Sequence, residues 1–178
     1  LLRALERTSL KIALPLAASG VRGIRMLKEL PKHTIKEILF NDLNKKALSI
    51  ITKNLEVNQL NDKKINKKIK VGMFNEDARI FLLKNKPFDY IDIDPFGTPN
   101  HFLDNAVKRI SRGGILAVTA TDTSALAGSS KKACLRKYWA MPLKNEFMHE
   151  IGIRILIRKV QLIGAQHDKA LIPIFTYY

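Results

Sequence analysis

Short apolar runs alternate along the chain with longer amphipathic stretches, the order that produces a mostly parallel sheet covered by helices on both faces. Strands are expected at residues 12–16, 37–40, 69–73, 90–93 and 115–120. Helices are expected at 21–30, at 44–58 with Ala47, Leu48, Ile51 and Leu55 on one face, briefly after Asp77, and at 102–110. A turn at Gly113-Gly114 precedes the fifth strand. An irregular stretch through Pro142 then leads into a long helix at 145–166 and a last strand at 171–175. No internal repeat and no linker divides the 178 residues, so one α/β domain is expected.

Composition narrows the class. With 46% hydrophobic residues the chain buries a core, and disorder is excluded for the whole. Lys and Arg number 31 against 16 Asp and Glu, a net charge of +15 that favours phosphate-rich or anionic partners, although an ordinary basic surface accounts for it as well. The single cysteine, Cys134, excludes a disulfide framework and a zinc site of several thiolates, and fits a reducing, cytoplasmic setting. No metal site is expected. No apolar run approaches the roughly 18 residues that span a bilayer, since Arg154, Arg158 and Lys159 interrupt the greasiest one. Arg3, Glu6 and Arg7 break any leader-like opening. The start at Leu1 without methionine and the stop within an apolar run lead one to expect a fragment.

In open parallel sheets ligands lie beyond the carboxyl ends of the strands, so the loops there carry the chemistry. Ala18-Ser19-Gly20-Val21-Arg22-Gly23 resembles a dinucleotide-type glycine loop with its first glycine replaced. Ligand binding and the steric demands of a tight turn explain it equally well. Arg22 and Arg25 stand in the first turn of the next helix, against the positive end of its dipole, so an anion is expected nearby. Arg25 has an alternative partner in Glu29, four residues on. Asp42 lies about twenty residues past the glycine loop, where a carboxylate accepts ribose hydroxyls, or else caps the helix that follows. Asp77, before Ala78, reads first as a helix cap and second as an acceptor for an adenine amino group.

The most specific segment is Phe88-Asp89-Tyr90-Ile91-Asp92-Ile93-Asp94-Pro95-Phe96-Gly97. Carboxylates on a central parallel strand are costly unless they reach the open edge, and alternation puts Asp92 and Asp94 on one face. An acid, a rigid proline and an aromatic ring there suit a planar amine. A structural role is favoured for Asp92 and a catalytic one for Asp94. His149-Glu150 lacks the second histidine of a zinc-protease helix, with Ile153 in its place, and Glu150 instead pairs with Arg154. Ser124, Ser129 and Ser130 have no nucleophile-elbow context. His33, His101 and His167 read as surface or capping residues.

Taken in order, the glycine loop through Arg25, Asn41-Asp42, Asp92 through Pro99, Thr119-Ala120-Thr121-Asp122, Leu135-Arg136-Lys137-Tyr138 and Phe147 through Leu156 resemble the archaeal and eukaryotic tRNA (guanine-N2-)-dimethyltransferase family, which modifies guanine 26. The resemblance covers nearly the whole chain. It implies a Rossmann-like class I S-adenosylmethionine-dependent methyltransferase domain over residues 1–178, without the family's amino-terminal segment and carboxyl-terminal domain. It further implies S-adenosyl-L-methionine as cofactor and tRNA as partner. Arg22 would meet the methionine carboxylate, Asp42 the ribose, and Asp77 with the backbone of Ala78 the adenine. Asp94 would be the catalytic acid-base residue, with Pro95 and Phe96 forming the guanine site. Leu14 and Pro15 stand where the family pattern places an acid, and Pro15 implies a distorted strand end.

The expected reaction is methyl transfer to the exocyclic N2 of a guanine. Its rivals are an amino-methyltransferase acting on another base, in ribosomal RNA or DNA, and a basic RNA-binding module without catalysis. A nicotinamide dehydrogenase would share the glycine loop and Asp42 but gives no reason for Asp94-Pro95-Phe96-Gly97. Candidate tRNA contacts are the cluster Lys63, Lys64, Lys67, Lys68 and Lys70, which also reads as a solvated face, and Lys131, Lys132, Arg136 and Lys137.

Overall fold

A computed structural model describes residues 7–31, 33–60 and 69–177. Lys63, Lys64, Lys67 and Lys68 lie outside them. By packing, the chain forms two compact units, Leu1–Asp94 with Arg109–Ala117, and Pro95–Lys108 with Val118–Tyr178.

The first unit is built on strands β1 (Leu10–Leu14), β2 (Ile35–Asn41), β3 (Lys70–Phe74), β4 (Phe88–Ile93) and β5 (Ile110–Val118), which continues to the unit boundary. Between them in the chain run α1 (Val21–Glu29), α2 (Lys45–Val57) and α3 (Ala78–Lys84). The strand order is β3-β2-β1-β4-β5, and β1 pairs in parallel with both β2 and β4, as β2 does with β3. The connection from β1 leads outward to β2 and that from β4 leads the other way to β5, so the order reverses between the neighbouring strands β1 and β4, the arrangement that opens a crevice at the carboxyl edge.

Alternation along the strands divides their side chains between two faces. Leu10, Ile12, Leu14, Ile38 and Phe40 join Ile24 of α1 and Ile51 and Leu55 of α2 in one core. Ala13 and Leu39 point the other way and are also buried, so both faces of the sheet are covered. Phe81 of α3 packs against Phe74 and Phe88, with ring centroids 5.2 and 6.2 Å away. β1 stops at Leu14, immediately before Pro15, as the missing N–H of proline requires.

The second unit contains most of α4 (Asn100–Arg109), together with α5 (Thr123–Leu126), α6 (Lys131–Tyr138) and α7 (Met148–Ala165). Its core gathers Ala125, Leu126, Cys134, Tyr138 and Ile155.

Three expectations need correction. Residues 171–175 form no strand: Ile172, Ile174 and Phe175 are exposed, and the apolar run has no ladder to join among the described residues. The Gly113-Gly114 turn lies inside β5 instead of before it; Gly113 has a φ of +69°, but the strand continues on both sides. α6 occupies part of the stretch expected to be irregular, because its four basic residues mask a helix that buries only Cys134 and Tyr138.

Candidate active site at the carboxyl edge

The β1–α1 loop turns on Ala18 and Gly20, at φ values of +48° and +75°. Its amides are tied locally: Ala17 N donates to Asn41 O at 2.9 Å and Gly20 N to Ala17 O at 2.7 Å. Gly23 has a different purpose. A Cβ there would sit 2.4 Å from Phe40 Cε1 and 2.5 Å from Leu14 Cδ1, so its absence lets α1 lie directly on β1 and β2.

Asn41, fully buried at the end of β2, staples three strand exits together. Its Nδ2 donates to Pro15 O at 2.9 Å and Glu76 O at 3.0 Å, and its Oδ1 accepts from Glu76 N at 3.0 Å. Asp42 is not the cap of α2; Asn44 is, accepting from Lys46 N at 3.0 Å. Asp42 instead accepts from Ala18 N and Asn44 N, both at 2.9 Å, one on each carboxylate oxygen. A carboxylate offers about four acceptor positions, so each oxygen retains one for a ligand hydroxyl.

Asp77 caps α3, accepting from Arg79 N at 2.8 Å, and holds the Arg79 guanidinium at 2.9 to 3.0 Å. Ala78, the first helical residue, is buried. The Arg79 side-chain hydrogen bonds outweigh a small burial penalty and hold the Asp77 carboxyl down to about 2. A depressed pKa contributes stability that is fully present above the ordinary carboxylate value and is lost as pH falls through about 2. Asp77→Asn keeps a good cap but removes the charge. Its thermal midpoint is expected to lie below that of the parent at pH 5 and to converge with it near pH 2; a gap constant across that range would contradict the pairing.

The anion that the placement of Arg22 demands is supplied by the end of β4. Arg22 Nη1 donates to Asp92 Oδ1 and Oδ2 at 2.8 and 3.0 Å, and Nη2 meets Asp94 Oδ2 at 2.8 Å. Burial works against the Arg22 cation, but Asp92 and then Asp94 more than offset it, leaving its pKa above the ordinary value. Burial also pushes the Asp92 carboxyl up, against the pull of Arg22. The two acids differ in access: the Asp92 side chain is 3% exposed and that of Asp94 33%. Asp92 is thus committed to Arg22, whereas a third of the Asp94 side chain stays open to another partner. Arg22 uses at most three of its five N–H donors, so two remain. Arg25 takes the local alternative, with Nε 2.7 Å from Glu29 Oε1.

In the second unit the loop Pro95-Phe96-Gly97 is braced from behind. Phe96 itself is fully exposed. Gly97, at φ +78°, donates N–H to Thr121 Oγ1 at 2.7 Å and accepts from Thr121 N at 2.9 Å. Thr98 Oγ1 lies 3.1 Å from the Tyr138 hydroxyl, which donates to Asp122 Oδ1 at 2.6 Å. Lys137 Nζ donates to Asp122 Oδ2 at 3.1 Å, and Asn100 Nδ2 to Lys137 O at 2.6 Å. Burial, followed by the hydrogen bond to Asp122, raises the Tyr138 pKa and keeps the phenol a donor.

Sequence reasoning gave no role to Asn41, Asp122 or Tyr138. A buried polar residue at a strand end and a tyrosine one helical turn from Cys134 were the available signals. The histidines are accounted for without ligation where contacts are described: His167 Nε2 lies 2.7 Å from Asp104 Oδ1. Arg154 pairs with Glu150 at 2.7 Å, as their spacing predicts. Among the described residues no helix is long and apolar enough to cross a membrane.

At the opposite, amino edge of the sheet a cavity of about 600 Å³ is lined by Lys11, Lys36, Glu37, Lys70, Lys84 and Lys86, among others. It lies away from the aspartates, and its amines are partly neutralised, Lys70 by Glu37 at 2.6 Å and Lys84 by Glu76 at 2.8 Å.

The model of the N2,N2-dimethylguanosine tRNA methyltransferase family matches residues 2–178. The chain belongs to this family. It is 44% identical over 169 residues to the tRNA (guanine(26)-N(2)/guanine(27)-N(2))-dimethyltransferase of Aquifex aeolicus, covering 94% of this chain and 41% of that one. It is 40% identical over 174 residues to the tRNA (guanine(26)-N(2))-dimethyltransferase of Methanocaldococcus jannaschii, covering 97% and 44%. The solved complex of Trm1 from Pyrococcus horikoshii with S-adenosyl-L-methionine superposes with a TM-score of 0.83 at 35% identity, over 94% of this chain and 46% of that one. The fold is that of the Rossmann-like methyltransferases. The chain spans less than half the length of these relatives.

Proposed function

We propose that this chain is the catalytic methyltransferase part of a tRNA guanine-N2 dimethyltransferase, acting in the cytoplasm on guanine 26 with S-adenosyl-L-methionine. The observation that carries the reading is the acid that Arg22 holds half-open at the sheet edge, followed in the chain by proline and a fully exposed Phe96.

The residues at the edge fit the cofactor. Asp42 has acceptor positions left for ribose hydroxyls and Arg22 has donors left for a carboxylate, while Asp77 and the backbone of Ala78 would recognise the adenine. When bound, the cofactor supplies an electrophilic methyl group on a sulfonium.

The exocyclic amine of guanine is a poor nucleophile because its lone pair is delocalised into the ring. Asp94 accepts a hydrogen bond from that amine, orients it, and takes the proton as the N–C bond forms and the methyl's bond to the sulfonium sulfur breaks. Arg22 keeps Asp94 aimed, and Asp92 anchors Arg22. Phe96 offers a stacking face to a base that has left its helix. Lys131, Lys132 and Arg136 on α6 contribute salt-sensitive phosphate contacts, while Lys137 is already engaged by Asp122.

Calorimetric titration with S-adenosylmethionine and NAD, followed by mass mapping of tRNA nucleosides, tests the reading. Binding of the first alone, with methyl groups appearing on guanine N2, is the expected result. Methyl transfer only to ribosomal RNA or DNA bases would favour the other amino-methyltransferase. Binding of RNA without S-adenosylmethionine would favour a non-catalytic RNA-binding module.

A further inference from the structure

Trp139, the only tryptophan in the chain, ends α6 in a conformation that bulky residues avoid, with φ +57° and ψ +36°. Three contacts hold it there. Its N–H donates to Leu135 O at 3.0 Å, Arg158 Nη1 donates to its carbonyl at 3.3 Å, and Lys159 Nζ lies 3.0 Å from the ring centroid. Lys159 is 5% exposed, and no carboxylate pairs with it among the described residues. A buried ammonium is thus spent on one aromatic ring. Yet Trp139 keeps 50% of its surface in solvent, with Leu135 and Met141 exposed beside it in the chain.

The surroundings are cationic. Lys132 and Arg136 stand at helical spacing on the stripe that ends at Trp139, both exposed, and Lys131, Lys144 and Arg158 are exposed as well. Between residues 131 and 159 the only acids are Glu146 and Glu150, and Glu150 is held by Arg154. A half-open indole at the end of a helix that carries exposed cations, with Arg158 at its carbonyl, has the chemistry of a base-stacking platform flanked by phosphate contacts. The hydrogen bonds among Tyr138, Thr98 and Asp122 and between Asn100 and Lys137 O join α6 to the loop that carries Phe96, within the same unit.

We propose that Trp139, with Lys132, Arg136 and Arg158, forms a second nucleotide-binding site, where an unpaired base of the bound RNA stacks on the indole while its phosphates meet the cations. The inference rests on the RNA substrate proposed above, but its readout is independent of methyl transfer. Because Trp139 is the sole tryptophan, intrinsic fluorescence reports on this ring alone. A short single-stranded RNA should quench it saturably, whereas inorganic polyphosphate should bind without comparable quenching.

Anisotropy of the labelled RNA should show affinity falling about tenfold in Trp139→Ala and largely retained in Trp139→Phe, within the range that base–aromatic stacking supplies. Matched melting curves exclude misfolding, and S-adenosylmethionine affinity should be the same in all three proteins. RNA binding without quenching, or with unchanged affinity in Trp139→Ala, overturns the stacking site and leaves the methyltransferase reading standing. Failure of the parent chain to bind RNA overturns both. Self-association of the chain that Trp139→Ala abolishes, with no quenching by RNA, would make the ring a protein contact and also overturn the site.

Discussion

Replacing Asp94 with alanine is expected to lower methyl transfer by about three orders of magnitude while S-adenosylmethionine still binds. Arg22 Nη2 meets Asp94 at Oδ2, 2.8 Å away, and a third of the Asp94 side chain stays open, the part proposed to face the base. On the proposed role of Asp94, the substitution removes both the acceptor that orients the amine and the group that takes its proton. Cofactor affinity is spared, because Asp42 is fixed by Ala18 N and Asn44 N, Asp77 by α3 and Arg79, and Arg22 by its two contacts to Asp92. Asp94→Asn separates the two roles, since an amide oxygen still accepts a hydrogen bond but does not take the proton. Single-turnover rates should rank the parent above Asn and Asn above Ala. Near-normal turnover in either variant would end the assignment.

The second large effect concerns folding. Gly23→Ala should lower the thermal midpoint by about 5–10 °C, corresponding to roughly 2–3 kcal/mol of overpacking at this chain length. In an unconstrained helix the same change is stabilising, by about 1 kcal/mol. Here the added Cβ meets Phe40 Cε1 at 2.4 Å and Leu14 Cδ1 at 2.5 Å. Phe40 and Leu14 belong to the buried sheet face, so neither yields without disturbing β1 and β2. The sign of the shift decides the matter: a higher midpoint would mean that Gly23 serves the turn alone, and a lower one that it sets the distance between α1 and the sheet.

Several readings made from residues alone meet their counterpart in the structure. The expectation of an anion near Arg22 follows from the helix dipole, and the anion proves to be a pair of carboxylates from the chain itself. The Arg25–Glu29 and Glu150–Arg154 pairs depend only on helical spacing, which is local and therefore readable. Asp42 shows where local reading stops. A cap for α2 and a ribose acceptor are hard to separate from its position, although the spacing leans to the acceptor, and the choice of Asn44 as cap was made by the backbone path between β2 and α2. Residues 171–175 mark the converse error, because a short apolar run reports a preference for strand while a strand exists only where a neighbour offers a ladder.

The order of apolar runs, the glycine loop and the acids ending the fourth strand were fixed by sequence, since each depends on periodicity, steric freedom or the cost of a charge on a central strand. Only tertiary structure decided that Arg22 clamps Asp92 and Asp94, that Asn41 ties three strand exits, and that Tyr138 and Asp122 brace the loop bearing Phe96. Those contacts join residues as distant in the chain as Arg22 and Asp94. Distances of that kind are set by how strands align in the sheet and how helices pack, and no local pattern encodes them.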